Sequence, residues 1–192
     1  MKKVGVLSLQ GDFVAHGAAL RRAGAEPVYV RHAAQLAGLD GLVIPGGEST
    51  TMLKLLRYDG LMEPLAEFAR RKPVFGTCAG AILMATQVSA PAQESLGLVD
   101  MAVERNGYGR QLDSRVTSIE PEADFERRTA PGTIEAVFIR APIIRSVGRG
   151  AKVLARYGGD PVLVEQGPHL AATFHPELTA DARVHRLFLE KL

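Results

Sequence analysis

The chain has 192 residues, 46% hydrophobic and 23% charged, which suits one globular domain with a single sizeable core. Its 23 basic and 21 acidic residues nearly balance, so total charge calls for neither nucleic acid nor a membrane surface as partner. No apolar run approaches the roughly 20 residues that cross a bilayer, and a single cysteine excludes an intrachain disulfide while fitting a reducing cytoplasm.

The opening run, 4–9, is too short for a signal sequence and is interrupted by Gln10-Gly11-Asp12, so it reads as a buried first strand. Similar runs at 27–30, 41–44 and 73–77 are rich in Val, Leu and Ile, as strands buried on both faces are. Between them, 13–22, 50–57 and 62–71 carry apolar residues at helical spacing, and 81–86 continues in the same way. Strand–helix alternation predicts parallel strands joined by right-handed crossovers. The expected fold is therefore α/β, a three-layer open mixed sheet with parallel core strands, in one domain over 1–192. Ligands of such sheets sit beyond the carboxyl ends of the strands.

From residue 96 the texture changes. Short β-like stretches at 98–105, 114–119, 136–140, 152–157, 161–165 and 170–174 predict antiparallel or mixed pairing. The polar 120–131 segment reads as an exposed loop. Residues 181–192 read as a closing helix with Val184, Leu187 and Phe188 on one face and Asp181 where negative charge favours a helix N-terminus.

Three places carry chemistry. Gly76-Thr77-Cys78-Ala79-Gly80 links a strand to a helix, and a nucleophile on so sharp a turn needs small neighbours. The following helix would aim its N-terminus and the Ala79 N–H at the sulfur and at an oxyanion beside it. A lone cysteine is more often an inert buried hydrophobe, so the partners decide. His175-Pro176-Glu177 offers one: in an extended segment residues two apart share a side, so Glu177 would orient His175 as the base of a thiol nucleophile. His169 is the competing histidine but lacks a carboxylate two positions on; His16 and His185 fall in predicted helices and His32 has no orienting acid nearby. Pro45-Gly46-Gly47-Glu48-Ser49 ends a strand, its glycines permit close backbone approach to a ligand, and Ser49 is a candidate helix cap. A phosphate-binding turn is the alternative there, though the Lys-Ser/Thr ending of a P-loop is absent.

In this order these pieces resemble the class I (triad-type) glutamine amidotransferases. Ser8-Leu9-Gln10-Gly11, 45–51, 76–80, 104–111, 138–142 and 175–178 together are similar to the glutaminase subunits of pyridoxal 5′-phosphate synthase. The resemblance implies Cys78 as nucleophile, His175 as base and acid, and Glu177 as orienting carboxylate. It implies that Gly47, Glu48, Ser49, Arg105, Ile139 and Arg140 hold L-glutamine. It also implies an oxyanion hole from the Gly46-Gly47 peptide and Ala79, with Gln10 near that loop to couple partner binding to activation. Arginine is a natural partner for the substrate carboxylate, with Arg105 and Arg140 as candidates. No metal or organic cofactor is required. The implied partner is a barrel-shaped synthase in a large hetero-oligomer that builds the coenzyme from a pentose phosphate and a triose phosphate. Two rivals stay open: a glutaminase feeding another synthase, such as that of imidazole glycerol phosphate, and a non-catalytic regulatory module on the same scaffold.

Overall fold

The computed structural model describes residues 1–106 and 115–192. The first half alternates strands and helices: β1 (Lys3–Leu7), α1 (Phe13–Ala23), β2 (Glu26–Val30), β3 (Gly41–Ile44), α2 (Ser49–Tyr58), α3 (Met62–Ala69), β4 (Val74–Thr77) and α4 (Ala79–Met84). A 3-10 turn covers Ala33–Leu36. The second half holds β5 (Ala85–Ser89), β6 (Val99–Glu104), β7 (Arg115–Pro121), α5 (Ala123–Arg128), β8 (Ile134–Phe138), β9 (Ile143–Val147), β10 (Lys152–Tyr157), β11 (Asp160–Gln166), β12 (His169–Ala172) and α6 (Arg183–Leu189).

Among the described residues the main sheet has nine strands, in the order β2-β1-β3-β4-β12-β11-β10-β7-β8. The run from β2 to β12 is parallel and the run from β12 to β8 is antiparallel. The predicted α/β mixed sheet with parallel core strands is what the chain adopts. Side chains alternate between its faces. Leu42, Ile44 and Val74 join one apolar cluster with Met52, Leu56 and Leu65 from α2 and α3 and with α4. Val43 and Phe75 join the other with Leu20 of α1 and with Val184, Leu187 and Phe188 of α6. Helices thus cover both faces, and each fully buried side chain of this size stabilises the fold by roughly 1.5–3 kcal/mol. Among the described residues no helix is long and apolar enough to cross a membrane.

Several local expectations change. The 81–86 helix begins and ends earlier, because Ala85 turns extended and β5 pairs parallel with β6. With β9, antiparallel to β6, they make a second, three-stranded sheet that apolar spacing does not announce. The 120–131 segment is not an exposed loop: it contains the end of β7 and the helix α5, whose Phe125 is fully buried beside Ile119, Ile134 and Leu154. Asp124 at the start of α5 pairs with Arg128 at 3.3 Å and with Lys152 at 2.9 Å, which keeps the charged face of that helix in place. Residues 107–111 of the 104–111 motif, and Ser114 of the predicted strand at 114–119, lie outside the described residues.

Candidate active site

The carboxyl ends of three neighbouring parallel strands converge. β3 leads into Pro45-Gly46-Gly47, β4 into Cys78, and β12 through Thr173 and Phe174 into His175. The Cys78 N–H donates to Ala172 O at 2.8 Å and the His175 N–H to Val137 O at 2.8 Å, so both residues are pinned to the sheet.

Cys78 holds φ 48° and ψ −106°, a left-handed conformation that side chains rarely adopt. The turn is sharp because α4 starts at the next residue and packs directly under β3. A Cβ on Gly80 would come within 2.1 Å of the Ile44 carbonyl oxygen. The small neighbours of Cys78 are thus a packing requirement. The thiol lies 3.9 Å from the Ile139 carbonyl oxygen.

His175 Nδ1 lies 2.7 Å from Glu177 Oε1, and both residues are buried. The local conformation is not the extended one that the spacing suggests. Pro176–Leu178 is a 3-10 turn, with Pro176 in its first turn and His175 as its cap residue at φ −108°, ψ 84°. The turn folds Glu177 back under the imidazole. Burial works against a charged His175. The hydrogen bond with Cys78, followed by the hydrogen bond and negative charge of Glu177, outweighs it and raises the imidazole from 6.5 to about 10. An imidazolium facing the sulfur stabilises a thiolate, the nucleophilic form. A raised folded-state value contributes stability fully below the unfolded value near 6.5 and loses it as pH rises through about 10. Thermal midpoints of wild type and His175→Asn are therefore expected to differ most below about pH 6.5, with the gap shrinking through neutral pH and closing toward pH 10. A gap that stays constant or widens would contradict this.

A cleft of about 280 Å³ opens beside these groups, lined by Gly46, Gly47, Glu48, Ser49, Cys78, Arg105, Ile139, Arg140 and His175 among others. Ala79 and Gln10, also singled out in the sequence, stand outside that lining. Ala79 opens α4, where backbone N–H groups lack helical partners. Gln10 grips the loop from the side: its Nε2 donates to Glu48 O at 2.7 Å and its Oε1 accepts from Glu48 N at 3.4 Å. Gly47 takes φ 139° and Arg140 φ 44°.

The cap of α2 is Glu48, not Ser49. Its carboxylate accepts from Thr50 N at 2.9 Å and from Thr51 N and Oγ1 at 2.7 Å. Burial opposes its charge, but the hydrogen bonds from Thr51 and Thr50 prevail and hold it at about 2. The Glu48 carboxylate is therefore committed to the helix, and what the residue presents to the cleft is chiefly backbone. Ser49 instead donates to Gln93 Oε1 at 3.0 Å. Arg105 Nη2 donates to Thr50 Oγ1 at 2.7 Å and lies 3.3 Å from Glu48 Oε1, which holds the guanidinium at the cleft wall.

His169, the competing histidine, starts the central strand β12 at its amino end, away from the carboxyl ends that form the site, with burial and then Lys191 lowering its pKa. His16 is the residue that sequence reading passes over: its Nε2 comes within 3.3 Å of Glu177 Oε2.

A model of the SNO glutamine amidotransferase family matches residues 6–192. The chain belongs to that family. It is 71% identical over 192 residues to the pyridoxal 5′-phosphate synthase subunit PdxT of Solibacter usitatus (strain Ellin6076), covering 100% of both chains. It is 55% identical over 188 residues to the protein of the same description from Koribacter versatilis (strain Ellin345), covering 98% of this chain and 94% of that one. A crystal structure described as a glutamine amidotransferase superposes with a TM-score of 0.88 at 48% identity, covering 98% of this chain and 97% of that one. The PurLQS structure from Thermotoga maritima, at 17% identity and a TM-score of 0.68 over 98% of each chain, shares the fold.

Proposed function

We propose that this chain hydrolyses L-glutamine to L-glutamate and ammonia, with Cys78, His175 and Glu177 as a catalytic triad, and that it donates the ammonia to a synthase subunit making pyridoxal 5′-phosphate. The observation that carries the reading is that Cys78 and His175 face the cleft side by side with Glu177 buried behind the imidazole, in a chain 71% identical to a pyridoxal 5′-phosphate synthase subunit.

In this reading the Cys78 thiolate attacks the side-chain amide carbon of glutamine and the carbonyl oxygen becomes an oxyanion. The Ala79 N–H and an N–H of the Gly46-Gly47 peptide hold that charge. His175 gives its proton to the amide nitrogen, the C–N bond breaks, and ammonia leaves a glutamyl thioester on the sulfur. The acylated sulfur carries no negative charge, so one support of the raised His175 value disappears. The neutral imidazole then takes a proton from water, the hydroxide adds to the thioester, and glutamate departs as the thiolate returns. In this reading Gly47, Glu48 and Ser49 frame the substrate through their backbone, and Arg105 and Arg140, which line the cleft, are the candidate partners of its α-carboxylate. The Ile139 carbonyl, already beside the thiol, is an acceptor for the amide N–H groups.

Ammonia released into water protonates and stops being a nucleophile, so a biosynthetic glutaminase gains from a partner that receives it directly. Gln10 grips the Glu48 backbone, which supports the reading that a docking partner acts on the oxyanion loop through it. The test is pyridoxal phosphate formation from glutamine with each subunit alone and together. Coenzyme should form from glutamine only in the mixture, and glutamine hydrolysis should rise when the synthase is added. Stimulation instead by the imidazole glycerol phosphate synthase partner, or equal hydrolysis with and without any partner, would overturn the assignment.

A further inference from the structure

Behind the Cys78–His175–Glu177 row lie two fully buried histidines, His16 on α1 and His185 on α6. His16 Nε2 is 3.0 Å from Thr77 Oγ1 and 3.3 Å from Glu177 Oε2, and its Nδ1 is 3.2 Å from His185 Nε2. The Glu177 contact is out of line for a well-formed hydrogen bond, so Oε2 is held by proximity to the ring nitrogen alone. Among the described residues His185 Nδ1 has no hydrogen-bond partner. The faces of His16 are thus occupied by Thr77 from β4, His185 from α6, Glu177 and His175 from the β12 side, and the edge-on ring of Phe75.

These contacts fix where the protons sit. Burial, then His185 and His175, keeps His16 neutral, and burial, then Arg22, pushes His185 down to about 4. Two neutral arrangements satisfy the His16–His185 contact. In the first, His185 donates from Nε2 to His16 Nδ1, and His16 Nε2–H faces Thr77 Oγ1 and Glu177 Oε2. The atom left over is a bare ring nitrogen on His185. In the second, His16 donates from Nδ1, its bare Nε2 can accept from the Thr77 hydroxyl but also faces a carboxylate oxygen, and the Nδ1–H of His185 is buried with no acceptor among the described residues. The second sets two electron-rich atoms against each other and strands a buried donor, the costlier defect. The first therefore holds.

We propose that His16, fixed as its Nε2–H tautomer by His185, is a positioning residue that holds the Glu177 oxygen not used by His175 and so aims the carboxylate at the imidazole. The inference rests on the reading of Cys78, His175 and Glu177 as the catalytic row. A neutral donor suits this place. It restrains Glu177 without drawing off the negative charge that supports the His175 imidazolium, as a second cation would. Thr77 immediately precedes Cys78, so the same ring also braces the strand end that carries the thiol.

The tautomer is readable in the unmodified protein by long-range ¹H–¹⁵N correlation spectra of histidine-labelled chain. His16 and His185 are both expected to carry the proton on Nε2, and a proton on His16 Nδ1 would overturn the proposal. In the complex with its synthase, His16→Leu should lower kcat for glutamine by about 10–100-fold while KM changes less than about twofold, because His16 does not line the cleft. His16→Gln keeps an N–H donor and should recover most of that loss. Alkylation of Cys78 by iodoacetamide, followed against pH, should shift its midpoint upward in His16→Leu and little in His16→Gln. Wild-type kcat in His16→Leu, or equal losses in both variants with an unmoved alkylation profile, would reduce His16 to ordinary core packing. Alkylation and the tautomer need no turnover. A chain that hydrolyses no glutamine with its synthase would therefore sink the functional reading while those two measurements still decide the role of His16.

Discussion

Alanine at Cys78 is expected to cut glutamine hydrolysis at least about 1,000-fold in the presence of the synthase, with the fold intact. The loss is large because the other groups act on the sulfur's behalf. In the proposed mechanism His175 donates and accepts protons, but without the thiolate there is no covalent step for it to assist. The fold should survive because the Cys78 backbone, with its N–H on Ala172 O and its strained φ, is set by β4 and α4 rather than by the side chain. A second readout separates chemistry from misfolding. Cys78 is the largest of the influences that raise His175, so removing it should bring the imidazole well down from about 10, while Glu177 still holds it up in part. Histidine proton resonances followed against pH would show the change. Full turnover by Cys78→Ala would sink the mechanism. An unmoved His175 titration would sink the thiolate–imidazolium coupling on which it depends.

The parallel half of the fold was legible because its strands are buried on both faces and therefore print as unbroken apolar runs. The turn at Cys78 was legible for a related reason: Gly76, Ala79 and Gly80 stand next to it in sequence, and a pinched backbone must recruit its small residues locally. His175 and Glu177 could be paired on spacing alone, although the 3-10 turn that joins them differs from the extended segment expected. Pro176 favours either geometry, and only the packing of the turn decides. Other features depend on residues far apart. Phe125 sits in a polar stretch, and its pocket is made by Ile119, Ile134 and Leu154, so no local pattern marks it as core. The small sheet of β5 and β6 is completed only when β9, far along the chain, pairs with β6. Helix-cap preference pointed to Ser49, yet Glu48 takes the position, helped by the Thr51 hydroxyl and by Arg105 from β6's end. His16 was hidden most completely. Helical spacing places it on an inward face, but its partners Thr77 and His185 lie 61 and 169 positions away.

Gly11→Ala is expected to reduce kcat/KM for glutamine by about 100-fold or more, far beyond its effect on stability. A Cβ at Gly11 would stand 1.8 Å from the carbonyl oxygen of Gly46, and its own φ of +83° already disfavours a side chain. The obstacle is backbone, so no rotamer relieves it, and the Pro45–Gly47 loop must move instead. That loop has no room to move inward: a Cβ on Gly46 would meet His175 Cε1 at 2.4 Å, which shows how closely loop and imidazole already pack. Displacing the loop therefore shifts the proposed oxyanion N–H, the support for His175 and the Gln10 grip on Glu48 together. Gly24→Ala provides the control. Gly24 has φ +99° but nothing among the described residues within 4 Å of a built Cβ, so its substitution is expected to carry conformational strain of about 1–2 kcal/mol. Equal loss of thermal stability in the two variants with activity lost only in Gly11→Ala would trace the effect to the loop. Wild-type kcat/KM in Gly11→Ala would mean that the loop tolerates displacement, and the close fit of Gly11, Gly46 and His175 would then have no part in catalysis.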